Sequence, residues 1–355
     1  MLISNCSSTV SATLTLALLL STWCGAAQAE PASRVIPSRV VPVPVTVSPE
    51  LQKLIANPPI WDPNKAPQTF DDWKALAAAP PDALQRLAAL RENFGVTVTP
   101  DVLGGVPCYW VEPKVINRRN RNRLLVGIQG AGFFSGAGET GLWEAIAMAG
   151  LTGMKTIAID YRLLPEHPFP AALDDVTSVW KQVIKVEKPA NIAMFGSSSG
   201  GNLVLAFLYR AKRAGLRRPA AVMVGSPWSD ISNIGDSLQT NAGIDNVAVA
   251  SGAFDAALAD LYANGRDPKN PLLSPVYGDF AGFPPTFLVS GTRDLSLSDT
   301  VRVHRKLMKA RVPTQLVVEE ALSHGQYLDA ALVGAPEGRQ LYSDIAWFFD
   351  QHLGR

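Results

Sequence analysis

The sequence predicts an α/β fold: an eight-stranded, mostly parallel sheet flanked by helices. Three observations predict it. Eight short apolar runs bounded by turn residues recur along the chain. Most are separated by longer stretches with apolar residues at helical spacing, and a crossover helix is what a parallel strand pair requires. A chain of 355 residues, 47% hydrophobic and 18% charged, also carries enough apolar side chain for one large core. No fixed-period repeat is present, which sets solenoids and propellers aside.

In chain order, "VSATLTLALLLSTW" is an apolar run too short to span a bilayer, and Ala27-Gln28-Ala29 follows as a small-x-small cleavage site. Residues 1–29 are therefore expected to be a signal peptide, leaving an exported chain without a stable membrane anchor. The n-region "MLISNCSST" lacks the usual Lys or Arg, and Trp23 before Cys24 is a poor lipoprotein site. Residues 30–50 carry prolines at 31, 37, 42, 44 and 49, which predicts an extended tether projecting from the domain. In residues 51–95, "FDDWKALAAAPPDALQRLAALRENF" reads as two short helices broken at Pro80-Pro81, an N-terminal helical lid. The main α/β domain is expected to occupy 96–355.

Strands are predicted at 96–99, 108–112, 124–128, 155–160, 192–195, 221–224, 286–290 and 314–318. The first two are joined through "PDVLGGVP", hairpin material; helices are expected at 139–149, 171–185 and 199–214. Cys108 lies in the second strand and reads as a small buried hydrophobe. With Cys6 and Cys24 removed in the signal, no internal disulfide is possible. "NRRNRNR" at 117–123 reads as a solvated turn.

The chemistry centres on "IAMFGSSSGGNLVLAF". Gly196-x-Ser198-x-Gly200 between a strand and a helix is the nucleophile-elbow pattern, in which the flanking glycines permit a tight turn that presents the serine hydroxyl. Ser198 alone has glycine two residues away on both sides. A hydroxyl needs a base to become a nucleophile, and the base needs a carboxylate to orient it. Of the four histidines, His304 and His352 fall in helices and His167 lies upstream of the elbow. His324 sits in a turn beside Gly325 after the eighth strand, in Ser…Asp…His order. "FLVSGTRDLSLSD" supplies Asp294 and Asp299 after the seventh strand; Asp294 is preferred, since Asp299 suits a helix start. The glycine-rich loop "QGAGFFSGAGE" follows the third strand, and backbone N–H groups of Ala131, Gly132 and Ser199 are the candidate oxyanion donors.

These blocks resemble the hormone-sensitive-lipase-like group of α/β-hydrolases, which includes bacterial esterases and ε-lactone hydrolases. "QGAGF" is similar to its His-Gly-Gly-Gly-Phe loop, "DYRLLPEHPFPAALDDV" to a family block, and "FGSSSGGNL" to Gly-Asp-Ser-Ala-Gly-Gly-Asn-Leu. "GSPWSDIS", "NPLLSPVYGDFAGFPPTFLVSGTRD" and the turn at His324 continue the match in order. The resemblance implies the α/β-hydrolase fold, and a serine hydrolase cleaving carboxylic esters or lactones of small to medium acyl length through an acyl-enzyme, with no cofactor. It also implies that the block at 160–175 is structural, so Glu166 and His167 are not an acid–base pair. Four departures stand out: Gln129 for histidine, Ala131 for glycine, Ser197 for aspartate, and Gly325-Gln326 for Gly-Phe. Readings from other classes are a hydrolase-like scaffold retained for binding small molecules, and an amidase or carbamate hydrolase.

Phe133, Phe134, Trp143 and Trp228, with Trp61 and Trp73 of the lid segment, are expected to form an apolar substrate pocket. A net charge of +1, from 32 Lys+Arg against 31 Asp+Glu, provides no field that recruits nucleic acid. No His/Cys spacing indicates a metal.

Overall fold

The computed structural model describes residues 37–59, 66–248 and 252–354. The expected signal peptide and Trp61 lie outside the described residues. Residues 37–41 belong to a separate unit; the rest of the description concerns Pro42 onward.

All eight predicted strands form: β1 (Val96–Leu103), β2 (Val106–Pro113), β3 (Leu124–Ile128), β4 (Lys155–Ile159), β5 (Ile192–Ser197), β6 (Ala221–Gly225), β7 (Thr286–Gly291) and β8 (Thr314–Glu319). They lie in one sheet in the order β1-β2-β4-β3-β5-β6-β7-β8. Only β2 runs against its neighbours, pairing antiparallel with β1 and β4. Strands β3, β5, β6 and β7 are buried along their whole length, because helices cover both faces; this is why they read as continuous apolar runs.

The helices are α1 (Pro49–Ala56), α2 (Phe70–Ala77), α3 (Ala83–Asn93), α4 (Trp143–Thr152), α5 (Ala171–Val186), α6 (Ser199–Arg213), α7 (Ser237–Thr240), α8 (Gly252–Ala263), α9 (Leu297–Lys309), α10 (Gln326–Leu332) and α11 (Pro336–His352). Alternate strand residues feed two cores. Val126, Met194 and Val224 join side chains of α5, α6, α8 and α9 on one face. Leu125, Phe195 and Met223 join α1, α4, α10 and α11 on the other. The strand order reverses beside β3, which has β4 on one side and β5 on the other. The crevice at the C-terminal ends of such strands is where open α/β sheets place ligands.

Residues 42–50 do not project as a tether. Val47 is buried, the Pro42 carbonyl accepts a hydrogen bond from Arg293, and the Ser48 N–H and hydroxyl donate to Glu337. The Ser48 hydroxyl also accepts from Leu51 N, capping α1. Pro49 therefore acts as a helix starter, where its fixed φ helps and its missing N–H costs nothing. The 117–123 turn also departs from expectation. Asn120 and Arg123 are buried, and Arg123 pairs with Asp350 of α11.

Candidate active site

Ser198 joins β5 to α6 at φ 55° and ψ −123°, a left-handed conformation that a residue with a side chain adopts only when its surroundings enforce it. The enforcement is local. Ser198 N donates to the Gly225 carbonyl at 2.8 Å, and its own carbonyl accepts from Asn202 N and Trp228 N. A Cβ on Gly200 would come within 2.1 Å of the Ile128 carbonyl oxygen, and one on Gly196 within 2.7 Å of Gly200, so both positions require glycine. The Ser198 hydroxyl makes no capping bond to α6. It lies 2.8 Å from Nε2 of His324 instead.

His324 Nδ1 lies 3.0 Å from Oδ1 of Asp294, which is fully buried. The same carboxylate accepts from Ser296 N at 2.7 Å and from the Ser290 hydroxyl at 2.5 Å. Burial works against ionising Asp294, but the His324 imidazole and hydrogen bonds from His324, Ser290 and Ser226 outweigh it and hold the carboxyl below its usual range. For His324, burial opposes the charged ring; Asp294, with Asp245 and Asp255 farther off, more than offsets that and holds the imidazole above its ordinary 6.5. With the Nδ1 proton directed at Asp294, Nε2 is an acceptor for the serine proton.

The loop after β3 takes three consecutive left-handed residues, Ala131 (φ 69°), Gly132 (φ 66°) and Phe133 (φ 65°). Phe133 N donates to the Ser199 hydroxyl at 3.1 Å, and the Tyr161 hydroxyl donates to the Gln129 carbonyl at 3.1 Å, fastening the loop to α6 and to the segment after β4. The N–H groups of Ala131, Gly132 and Ser199 find no acceptor among the described residues. They are three orphan donors beside the serine, the arrangement an oxyanion needs.

Residues 125–328 match the α/β-hydrolase fold family model, a span that contains every one of these groups. This chain belongs to the α/β-hydrolase fold family. An esterase of Acinetobacter venetianus is 30% identical over 260 residues, which is 72% of the hydrolase and 83% of that esterase. Among solved structures, the esterase E25 superposes with a TM-score of 0.85 at 37% identity, over 91% of the hydrolase and 99% of that chain. An esterase from the bacterial hormone-sensitive lipase family gives 0.72 at 28% identity, over 86% and 99%. The hormone-sensitive-lipase-like resemblance drawn from the motifs therefore holds.

Within the hydrolase, the runner-up residues have other partners. Asp299 accepts from Asp230 N at 2.8 Å and faces Arg302; burial and Asp230 push its carboxyl up to about 7. His304 lies in α9, and His352 ends α11 with its ring against Phe348. Glu166 pairs with Lys74 of α2, while Arg162 and Asp175 tie the ends of the 160–175 block together. The Cys108 thiol is pushed up to about 12 by burial, consistent with an inert core residue.

The aromatic expectation needs correction. Trp143 starts α4 and packs on the opposite face, with Arg86 over its ring, because the helix phase turns it away from the site. Phe133 is stacked on Tyr262 at 3.8 Å and neighbours Trp228; Phe134 meets Trp73 of α2 edge to face at 5.4 Å. A cavity of about 470 Å³ opens between residues 231–242 and α8, lined by Ile231, Asn233, Leu238, Asp255 and Ala259 among others; Phe133, Phe134 and Trp228 do not line it, because their rings are packed into the core beside Tyr262 and Trp73.

Two groups escaped sequence reasoning. Asp245, buried, accepts from the backbone N–H of both Leu295 (2.9 Å) and His324 (3.0 Å), joining the loops that carry Asp294 and His324. Glu144 of α4 is buried beneath the elbow. Neither lies in a motif with a recognisable spacing.

Proposed function

We propose that the hydrolase cleaves carboxylic esters or lactones of small to medium acyl length, with Ser198 as nucleophile, His324 as general base and acid, and Asp294 as its orienting carboxylate. One observation carries this reading: a single imidazole spans Ser198 and Asp294 within hydrogen-bond distance of both. His324 Nε2 takes the Ser198 proton as Oγ bonds to the carbonyl carbon. The carbonyl electron pair moves to oxygen, where the N–H groups of Ala131, Gly132 and Ser199 stabilise it. Collapse expels the alcohol, which takes its proton from His324, and leaves an acyl-serine. Water, deprotonated by the same nitrogen, then releases the acid and restores Ser198.

Most of the relatives' names are esterase or carboxylesterase, with acetyl-hydrolases among them, which supports an ester over an amide or carbamate. An intact serine–histidine–aspartate line favours catalysis over a binding scaffold. The cavity between α8 and residues 231–242 is the proposed space for an acyl or alcohol group, and α2, whose Trp73 packs on Phe134 and Phe254, is the part of the N-terminal segment proposed as a lid. The apolar run and Ala-Gln-Ala site support export; an amino terminus near Glu30 on the mature protein would bear this out, and a retained Met1 would refute it.

The deciding experiment is a chain-length series of aryl esters with simple lactones alongside, and Ser198→Ala as control. Rates peaking at short to medium acyl groups, lost in Ser198→Ala together with labelling by an activity-based phosphonate, are expected. Turnover confined to amides, or surviving in Ser198→Ala, would overturn the proposal.

A further inference from the structure

Ser197 and Ser198 end β5 and begin the elbow side by side, yet their hydroxyls have separate partners. Ser198 reaches His324. Ser197 donates to Oε1 of Glu144 at 2.5 Å and is hydrogen-bonded to the Tyr327 hydroxyl. All three members of this second group are buried. Burial pushes the Glu144 carboxyl up to about 7 against the hydrogen bonds from Ser197, and no cation faces it among the described residues. A buried carboxyl without a cation is costlier than an apolar side chain of the same size, so its presence needs a reason.

Its position supplies one. Tyr327 is in the first turn of α10, three residues after His324. Its hydroxyl lies so close to the end of β6 that a Cβ on Gly225 would fall 1.7 Å from it. Gly225 is the residue whose carbonyl accepts the Ser198 N–H. The Tyr327 hydroxyl therefore meets the Ser197 hydroxyl and the Gly225 backbone, the two immediate neighbours of the nucleophile, while its own helix follows the turn that carries the imidazole. Glu144 ties this junction to α4. Ser197 also stands where the resembled block has aspartate, so a carboxyl missing from the elbow is supplied by the neighbouring helix.

We propose that Glu144 is a positioning residue of the hydrolase, acting through Ser197 and Tyr327 to hold Ser198 and His324 at their working separation. The inference rests on Ser198 being the nucleophile. Glu144 touches no reacting atom, so its removal acts on turnover with little effect on substrate affinity. The carboxyl can equally come from the elbow, which makes the proposal reciprocal: Ser197→Asp alone brings two buried carboxyls into contact and impairs the site, while the same change over Glu144→Ala restores it.

The test measures kcat and KM on one short-chain aryl ester, with melting temperatures, for Glu144→Ala, Ser197→Asp, the double variant, Glu144→Gln and Tyr327→Phe. Glu144→Ala and Ser197→Asp are each expected to lower kcat by about tenfold to a hundredfold, the range that a 1 Å displacement of a reacting group produces, with KM within about twofold. The double variant is expected to recover to within about threefold of the parent. Tyr327→Phe keeps the ring and is expected to lose several-fold in kcat at unchanged KM. Undiminished kcat in Glu144→Ala, or a double variant no better than either single, overturns the proposal. Should the alanine variants not fold, parental kcat in both Glu144→Gln and Tyr327→Phe overturns it. Ser198→Ala separates the two readings: activity surviving there rejects the nucleophile itself, whereas its loss beside full activity in Glu144→Ala rejects only the role of Glu144.

Discussion

The line Ser198–His324–Asp294 and the loop 129–133 meet at the same sheet edge but are held by different means. Asp294 is saturated, with His324 and Ser296 N on one oxygen and Ser290 on the other. The loop is held in strained backbone: Ala131 and Phe133 carry side chains at left-handed φ, and the Gln129 amide nitrogen is buried without a partner among the described residues while its Oε1 packs against Gly136 and Gly141. Two of the departures from the hormone-sensitive-lipase-like pattern, Gln129 and Ala131, fall in that loop. A network whose members are all satisfied can only be damaged by substitution, whereas a strained, partly unsatisfied loop leaves room for improvement.

The largest expected effect breaks the saturated half at its centre. Ser198→Ala should lower kcat by about a millionfold, the cost of removing the proposed nucleophile if the triad is well tuned, and less if the loop already limits the rate; single-turnover ester hydrolysis measures it. Asp294→Asn should follow at about ten-thousandfold, because an amide at this position favours the wrong imidazole tautomer.

The same pair sets the pH response. Since His324 is held above 6.5, kcat/KM should rise with pH through an apparent midpoint above that value, and Asp294→Asn should move the midpoint down. Stability has two flanks. The Asp294 contribution is present above the ordinary carboxylate range and is lost as pH falls through its depressed folded value. The His324 contribution is present below 6.5 and is lost as pH rises through its raised one. Melting curves of parent and Asp294→Asn across pH should show both flanks flattened in the variant.

Asp245 tests how the two loops of the saturated half are joined. Asp245→Ala leaves the Leu295 and His324 amides without their shared acceptor, and should cost about 1–3 kcal/mol in unfolding free energy. A kcat loss of about tenfold to a hundredfold should accompany it, as misplacement of His324 would produce.

The smallest effect sharpens the other half. Ala131→Gly removes a methyl group from a left-handed position and should be neutral to stabilising by up to about 1 kcal/mol, with kcat equal or higher. A clear fall in both would show that the alanine methyl packs usefully and that the loop is not strained there.

How legible each part was in sequence follows from the range of the interactions that make it. β3, β5, β6 and β7 announce themselves because strands covered on both faces are continuous apolar runs, and the elbow does so because two close backbone approaches exclude every residue but glycine. His324 and Asp294 were picked out from their places after strands, and the structure brings them within hydrogen-bond distance of each other. Asp245 was not: it acts on backbone N–H groups 50 and 79 residues further along the chain, and side-chain pattern records no such partner. Glu144 looks like a surface acid of a helix until α10 and the elbow are packed over it. Trp143, its neighbour in sequence, was misread because composition does not fix the phase of a helix against the sheet. The proline-rich segment was misread at its end because the same residue that stiffens an extended chain also starts a helix.

The docked stretch from Pro42 to Asn57 matters to anyone trimming the gene. Asn246 donates to the carbonyls of Leu54 and Asn57, Gln326 donates to Leu54, and both also bond Ser323, the residue before His324. An expression boundary placed after Asn57 would spare the sheet and every motif yet unfasten one side of the imidazole's turn, giving a well-folded but sluggish preparation. Fusion partners and affinity tags belong upstream of Pro42.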